Sequence, residues 1–284
     1  MSLRGAACAS LLFATAAAAE PPAPLVLPDL TPATEVRAST ILGGWPWLDF
    51  AAGLAVQART PVASHGEIFA RIVEYGANAL TGTQVSLGGG GLDAETVKGL
   101  ALSNIQFGAR RMFEIPERRL AVAVSAWSWI PTATGSGLVF RDTAFVRAGH
   151  ADLLLGLQDP YMAFDGVGAG AAGDLRWSDD RWFVQLEIGA MAVRDYSNLE
   201  IDDVFTAIGG GASIAKCTTL TGEVRFVQHP TGANFGAGER DWAVSMGVAS
   251  SDRSGASVRF RAGPVFGGDV VSAVAALDLT VRIE

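Results

Sequence analysis

Between Arg181 and Val193 the chain reads RWFVQLEIGAMAV, and apolar and polar positions alternate along it. One parity, Trp182, Val184, Leu186, Ile188, Ala190 and Ala192, is wholly apolar. The other carries Arg181, Gln185, Glu187 and Gly189, with Phe183 and Met191 as exceptions. A period of two held over more than about ten residues predicts a strand longer than most soluble sheets use. It matches the roughly 9–11 residues with which a tilted strand crosses a bilayer core. The fold class this predicts is all-β, an antiparallel transmembrane β-barrel.

The same rhythm recurs along the chain. It predicts strands over Trp47–Arg59, Glu67–Tyr75, Asn104–Phe113, Leu120–Ile130, Val167–Trp177, Val204–Ile208, Thr219–Val227, Trp242–Val248, Val258–Pro264 and Val271–Ile283, with shorter pieces at Thr81–Leu87, Asp152–Gln158 and Tyr161–Asp165. On the strand Leu120–Ile130 the side taken by Trp127 and Trp129 stays open, since both parities carry apolar residues. Gly88–Leu100 reads as a loop with one helical turn at Asp93–Val97, and Arg194–Asp202 as a polar loop. These segments sum to about 11 to 13 strands, and closure favours an even number, so about 12 strands are expected. Trp45, Trp47, Trp177, Trp182 and Trp242 fall near strand ends, where amphipathic rings sit at a membrane interface.

Three segments follow. Residues 1–19 have a positive start at Arg4, an apolar run and the small residues Ala17, Ala18 and Ala19, a secretory signal peptide. Residues 20–44 hold Pro21, Pro22, Pro24, Pro28 and Pro32, so an extended leader is expected there, rimming or plugging a lumen or trailing as a periplasmic arm. Residues 45–284 are the barrel domain. Of the two cysteines, Cys8 lies in the signal and only Cys217 survives processing, so stability is expected to come from the sheet itself. A net charge of -8 disfavours nucleic acid as a partner. Outside the signal no apolar run reaches about 18 residues, so helical spans are not expected.

The hairpin formed by Leu102–Phe113, LSNIQFGARRMF, and Leu120–Gly135, LAVAVSAWSWIPTATG, resembles one in a broad group of bacterial outer-membrane barrels. That group includes the MetA-pathway phenol-degradation family and the barrel part of OmpA-type proteins. Its pattern is a G-D-L-x-x-G-x-[KR]-[YW] strand followed by an apolar strand ending L-P-T-G. Gly108 and Arg110 keep their places, and Pro131-Thr132 keeps Pro-Thr. Ser103-Asn104-Ile105 replaces Gly-Asp-Leu, and Ala133 replaces Gly. The likeness covers about 40 residues well. It implies insertion in the bacterial cell outer membrane and passage of small, including hydrophobic, solutes, and it names no substrate. The chain departs from such barrels in ending on Glu284, where an aromatic residue is usual.

Candidate chemistry concentrates on the parity opposite the apolar sets. Asp49, Arg71, Arg110, Asp174, Arg176, Glu187, Glu223, Arg225, Arg259, Arg261, Asp278 and Arg282 are expected to face one lumen. They suit either a water-filled constriction that selects solutes or a packed ion-pair network that holds a narrow barrel shut. His65, His150 and His229 lie apart, with no metal-ligand spacing, and no serine has a nucleophile setting, so neither a cofactor nor an enzyme is expected. The function expected is an outer-membrane pore or uptake channel for small solutes. The alternatives are a non-conducting barrel that anchors an envelope assembly and an exported soluble β-sandwich. The partners expected are outer-membrane lipid, the outer-membrane insertion machinery and, for the anchor, envelope proteins.

Overall fold

The computed structural model describes residues 33–44, 50–63, 65–81, 95–102, 105–130, 132, 134–135, 167–194, 199–228, 240–252, 256–267 and 270–283. Fourteen strands are described, β1 Glu35–Gly44, β2 Phe50–Ala63, β3 Gly66–Thr81, β4 Glu95–Leu102, β5 Ile105–Ile115, β6 Leu120–Ile130, β7 Thr134–Gly135, β8 Val167–Ser178, β9 Trp182–Arg194, β10 Leu199–Ala215, β11 Thr218–Gln228, β12 Arg240–Ser251, β13 Ser257–Gly267 and β14 Val270–Arg282. Each pairs antiparallel with its neighbours. β4 and β5 run along successive stretches of β3, and β7 prolongs β6 beside β4, so the fourteen make twelve staves.

The ring is closed. β1 pairs with β2 on one side and with β14 on the other, from Glu35 opposite Arg282 to Gly44 opposite Ala273. A β-sandwich leaves sheet edges, and here the first and last strands hydrogen-bond to each other, so the soluble-sandwich alternative is excluded.

Alternation sorts the two faces. Outward lie large apolar side chains such as Leu54, Phe107, Val124, Ile188, Ile208, Leu220, Met246, Phe260 and Leu279, each 44–64% exposed. Such a continuous apolar exterior belongs in hydrocarbon, and closure leaves no unpaired backbone edge to face it. Trp182 packs against Trp177 at one end of this belt, with ring centroids 4.3 Å apart and planes tilted 45°. Trp242 stacks on Phe266 at 4.0 Å and 13° at the other. Trp47 and Trp45 lie outside the described residues.

Four boundaries differ from the sequence expectation. The leader expected over 20–44 gives way at Glu35 to β1, because its prolines all precede that residue and EVRASTIL alternates as a strand. Glu95–Leu102, expected in a loop with a helical turn, is β4, paired with Glu74–Thr81. The expected polar loop Arg194–Asp202 contains the start of β10, which also runs on through Gly209, Gly210 and Gly211 to Ala215. β13 continues past Pro264 to Gly267. At β4, β10 and β13 tertiary pairing overrode local turn or breaker residues. The short segments expected at Asp152–Gln158 and Tyr161–Asp165 lie outside the described residues.

Outward placement of Ile188, 56% exposed in mid-strand, has a measurable consequence. Ile188→Arg should cost about 2–4 kcal/mol of folding stability in lipid vesicles, read by urea unfolding. An equally stable variant would contradict the lipid-facing assignment.

Candidate functional site

The interior is built in two tiers. Every connection at one end of the barrel is short (63–66, 115–120, 178–182, 215–218, 251–257), and the longest ones (81–95, 135–167, 228–240) lie at the other, the usual periplasmic and outer ends of such barrels. Toward the short-turn end most inward residues are charged or hydroxylic, with Phe183, Met112 and Ala123 buried among them. Toward the long-loop end most are apolar, with Arg71, Gln106 and Asp241 as the polar exceptions.

The charged tier is a ring in which sign alternates from β1 through β2 and β3 to β5, and charges of opposite sign meet around the rest. Glu35 on β1 contacts Arg37 at 3.6 Å, Arg59 on β2 at 2.7 Å and Arg282 on β14 at 4.0 Å. Arg59 meets Glu67 on β3 at 3.3 Å, and Glu67 meets Arg110 on β5 at 2.9 Å. Arg110 and Arg225 both act electrostatically on Asp174 of β8, and Gln185 of β9 donates a hydrogen bond to it at 3.4 Å. Arg225 on β11 pairs with Glu187 on β9 at 3.6 Å. Glu223 acts on Arg261, which pairs with Asp278 on β14 at 3.3 Å, and Asp278 feels Arg37 and Arg259 and accepts a hydrogen bond from Ser39. The circuit thereby returns to β1.

Three staves carry no charge in this tier and are bridged by their neighbours. β6 offers Ala123 and Ser125 between Arg110 and Asp174. β10 offers Ala207 and Gly209 between Glu187 and Arg225. β12 offers Ser245 and Gly247 between Glu223 and Arg261. Small residues at those places leave room for long side chains to reach over them. Among the described residues Asp174 and Glu187 are the one place where like charges stand directly across a strand pair.

The apolar tier consists of Trp127, Trp129, Met191, Phe205, Val227, Ala243, Val265 and Val274, with Phe69 against it. Its large rings lie over glycines on the facing strand. In the pairing register Trp129 is opposite Gly168 and Trp127 opposite Gly170. Phe69 is opposite Gly108, and Phe205 opposite Gly189. A Cβ on any of these glycines would overlap the ring that covers it. Phe183 repeats the device over Gly211. The two tiers are joined by cations on rings. The Arg225 guanidinium lies 4.9 Å from the centroid of Phe205, and that of Arg176 lies 4.6 Å from Phe183.

Of the residues singled out from the sequence, Arg110, Arg176, Glu187, Glu223, Arg225, Arg259, Arg261 and Asp278 are all buried inside the barrel. Arg71 is half-buried on the inward parity of β3, and Asp49 lies outside the described residues. Sequence reading missed Glu35 and Arg37, hidden behind the prolines, and did not single out Arg59 and Glu67. The alternation of Glu35, Arg37 and Ser39 against Val36, Ala38 and Thr40 was the available signal. The inward glycines described above chiefly seat aromatic rings.

Closed sheet, lipid-facing belt and polar interior define a transmembrane β-barrel of the bacterial outer-membrane type. Among solved structures the fold is similar to the COG4313 outer membrane channel from Pseudomonas putida F1, with a TM-score of 0.60 and 9% identity over 93% of this chain and 100% of that one. It is also similar to a KdgM porin in complex with disordered oligogalacturonate, with a TM-score of 0.51 and 6% identity over 88% and 99% of the two chains. No family model and no curated protein sequence matches the chain.

The ring predicts opposite responses at two of its carboxylates. Glu67→Gln strips Arg59 and Arg110 of a shared buried partner and should cost about 3–5 kcal/mol. Asp174→Asn removes a like-charge opposition and should be neutral or stabilising. Urea midpoints in lipid vesicles check both, and equal losses would show that the ring does not act as a circuit.

Proposed function

We propose that the barrel is a passive pore or uptake channel for small solutes, including hydrophobic ones, working by diffusion without cofactor or covalent chemistry. The observation that carries this reading is the stratified interior. A solute entering at the long-loop end meets mostly apolar surface first and a nearly balanced set of fixed charges afterwards. An anchoring barrel has no need of that sequence of environments. The similarity of fold to a bacterial outer membrane channel and to a porin supports the same reading.

Paired charges make a weak filter for ion sign, because each positive group is offset locally. Arg259 and Arg261 both face Asp278 in this way, so they do not present the free positive field that their shared face suggests in the sequence.

Single-channel recording in planar bilayers tests the function. Discrete current steps are expected from the heat-modifiable, folded protein, and Arg261→Ala should shift permeability toward cations about two- to fivefold by unbalancing Asp278. A folded barrel that never conducts would favour the anchoring role.

A further inference from the structure

The apolar tier contains two polar atoms with unusual surroundings. The indole Nε1 groups of Trp127 and Trp129 are buried inside the barrel and have no hydrogen-bond partner among the described residues. The side chains are 7% and 2% exposed, so bulk water does not serve them. A donor left without an acceptor in such a place is costly, and most buried tryptophans find one.

Both donors project from the inner face of one strand. They are two residues apart on β6, about 7 Å along the strand. Bare backbone at Gly168 and Gly170 lets both indoles lie against β8, and at Gly170 the atoms that a Cβ would strike include Nε1 itself. Around them lie apolar groups of the tier, with Phe205 tilted 41° to Trp127 at a centroid distance of 6.3 Å and Met191 buried in the same cluster, and one amide, Gln106 opposite Trp129 on β5, whose buried Oε1 has no hydrogen-bond partner among the described residues either. A mostly apolar lining with a few fixed polar atoms is the composition of a small-molecule site.

We propose that Trp127 and Trp129, seated on Gly170 and Gly168, form a binding site in the barrel interior for a small apolar molecule that bears a hydrogen-bond-accepting oxygen. The apolar body lies against Phe205, Met191 and the indole faces, and the oxygen accepts a hydrogen bond from an indole N–H. A pure hydrocarbon leaves both donors unserved, and a strongly hydrated solute loses its water without replacement. The site rests on the reading of the barrel as a solute passage. It adds to that reading which molecules pause there and which atoms hold them. The charge ring, one tier deeper, has no part in the discrimination.

Acetophenone and ethylbenzene have nearly the same shape and differ in one carbonyl oxygen, so they isolate the hydrogen bond. Binding of each to the full barrel in lipid nanodiscs is measured by equilibrium dialysis, with protein-free discs as the blank. In the wild type acetophenone should bind about three- to tenfold more tightly than ethylbenzene after the blank is subtracted. Trp127→Phe with Trp129→Phe keeps flat rings over the glycines and removes both donors. The preference should then fall to about one, with ethylbenzene binding little changed. Trp129→Phe alone should lose part of the preference, and it serves if the double variant does not give a heat-modifiable band. Gly170→Ala lifts the Trp127 ring and should weaken both probes. A preference that survives loss of the donors, or absence of saturable binding of both probes to the folded wild type, overturns the site. Conductance recorded on the same preparations separates the two ideas. Current without the binding preference sinks the site and leaves the passage standing, whereas binding without current sinks the passage.

Discussion

Backbone hydrogen bonding in a medium without water is the constraint from which this structure follows. Hydrocarbon offers no partner to an N–H or C=O, so every strand that borders lipid must find one on both sides. The pairing of β1 with β14 meets that demand at the only place where sequence neighbours cannot. It also brings Glu35 of the first strand against Arg282 of the last, in a cluster with Arg37 and Arg59. A backbone seam is thereby reinforced by side chains whose charges need each other.

Closure in turn creates the problem that the interior solves. A ring of twelve staves encloses a lumen wider than small side chains alone can occupy. Long arginines and large aromatics line it from opposite ends. In a low dielectric an unpaired charge is expensive, and alternation of sign from β1 to β5, with opposite charges meeting around the rest, keeps each charge beside its opposite. Alternation fails at Asp174 and Glu187, and there Arg110 and Arg225 approach Asp174 over the small residues of the flanking staves. Ala207, Gly209, Ser125 and Gly247 are as much a part of the circuit as the charges they make room for.

How much of this could be read from the chain depends on which face is considered. The outward face answers to lipid, a uniform solvent, so Trp182, Val184, Leu186 and Ile188 announce themselves by parity alone. The inward face answers to particular partners several staves away, and parity gives only membership. Phe183 and Met191 look like errors in the alternation of β9 and prove to be inward core residues, 1% and 2% exposed. Trp127 and Trp129 are ambiguous for the same reason, since an interior that is apolar in one tier and charged in another has no single hydropathy. Glu35 and Arg37 are lost to a different cause. The prolines upstream of them speak for a leader, and a stave only ten residues long is easily taken for its continuation.

The preference for arginine over lysine in the interior follows from the same geometry. A guanidinium is flat and can satisfy a carboxylate along its edge while its face rests on a ring. Arg225 does both, with Glu187 at 3.6 Å and Phe205 beneath it at 4.9 Å. Phe205 in turn lies over Gly189, opposite it on β9. Glycine, aromatic ring, guanidinium and carboxylate therefore stack inward from the wall in that order, each requiring the one before it. A lysine would hold the charge but not the face, and any larger residue at Gly189 would displace every later member of the stack. The apolar and charged tiers meet at such stacks, so a change that enlarges the aromatic tier is felt in the ion circuit as well.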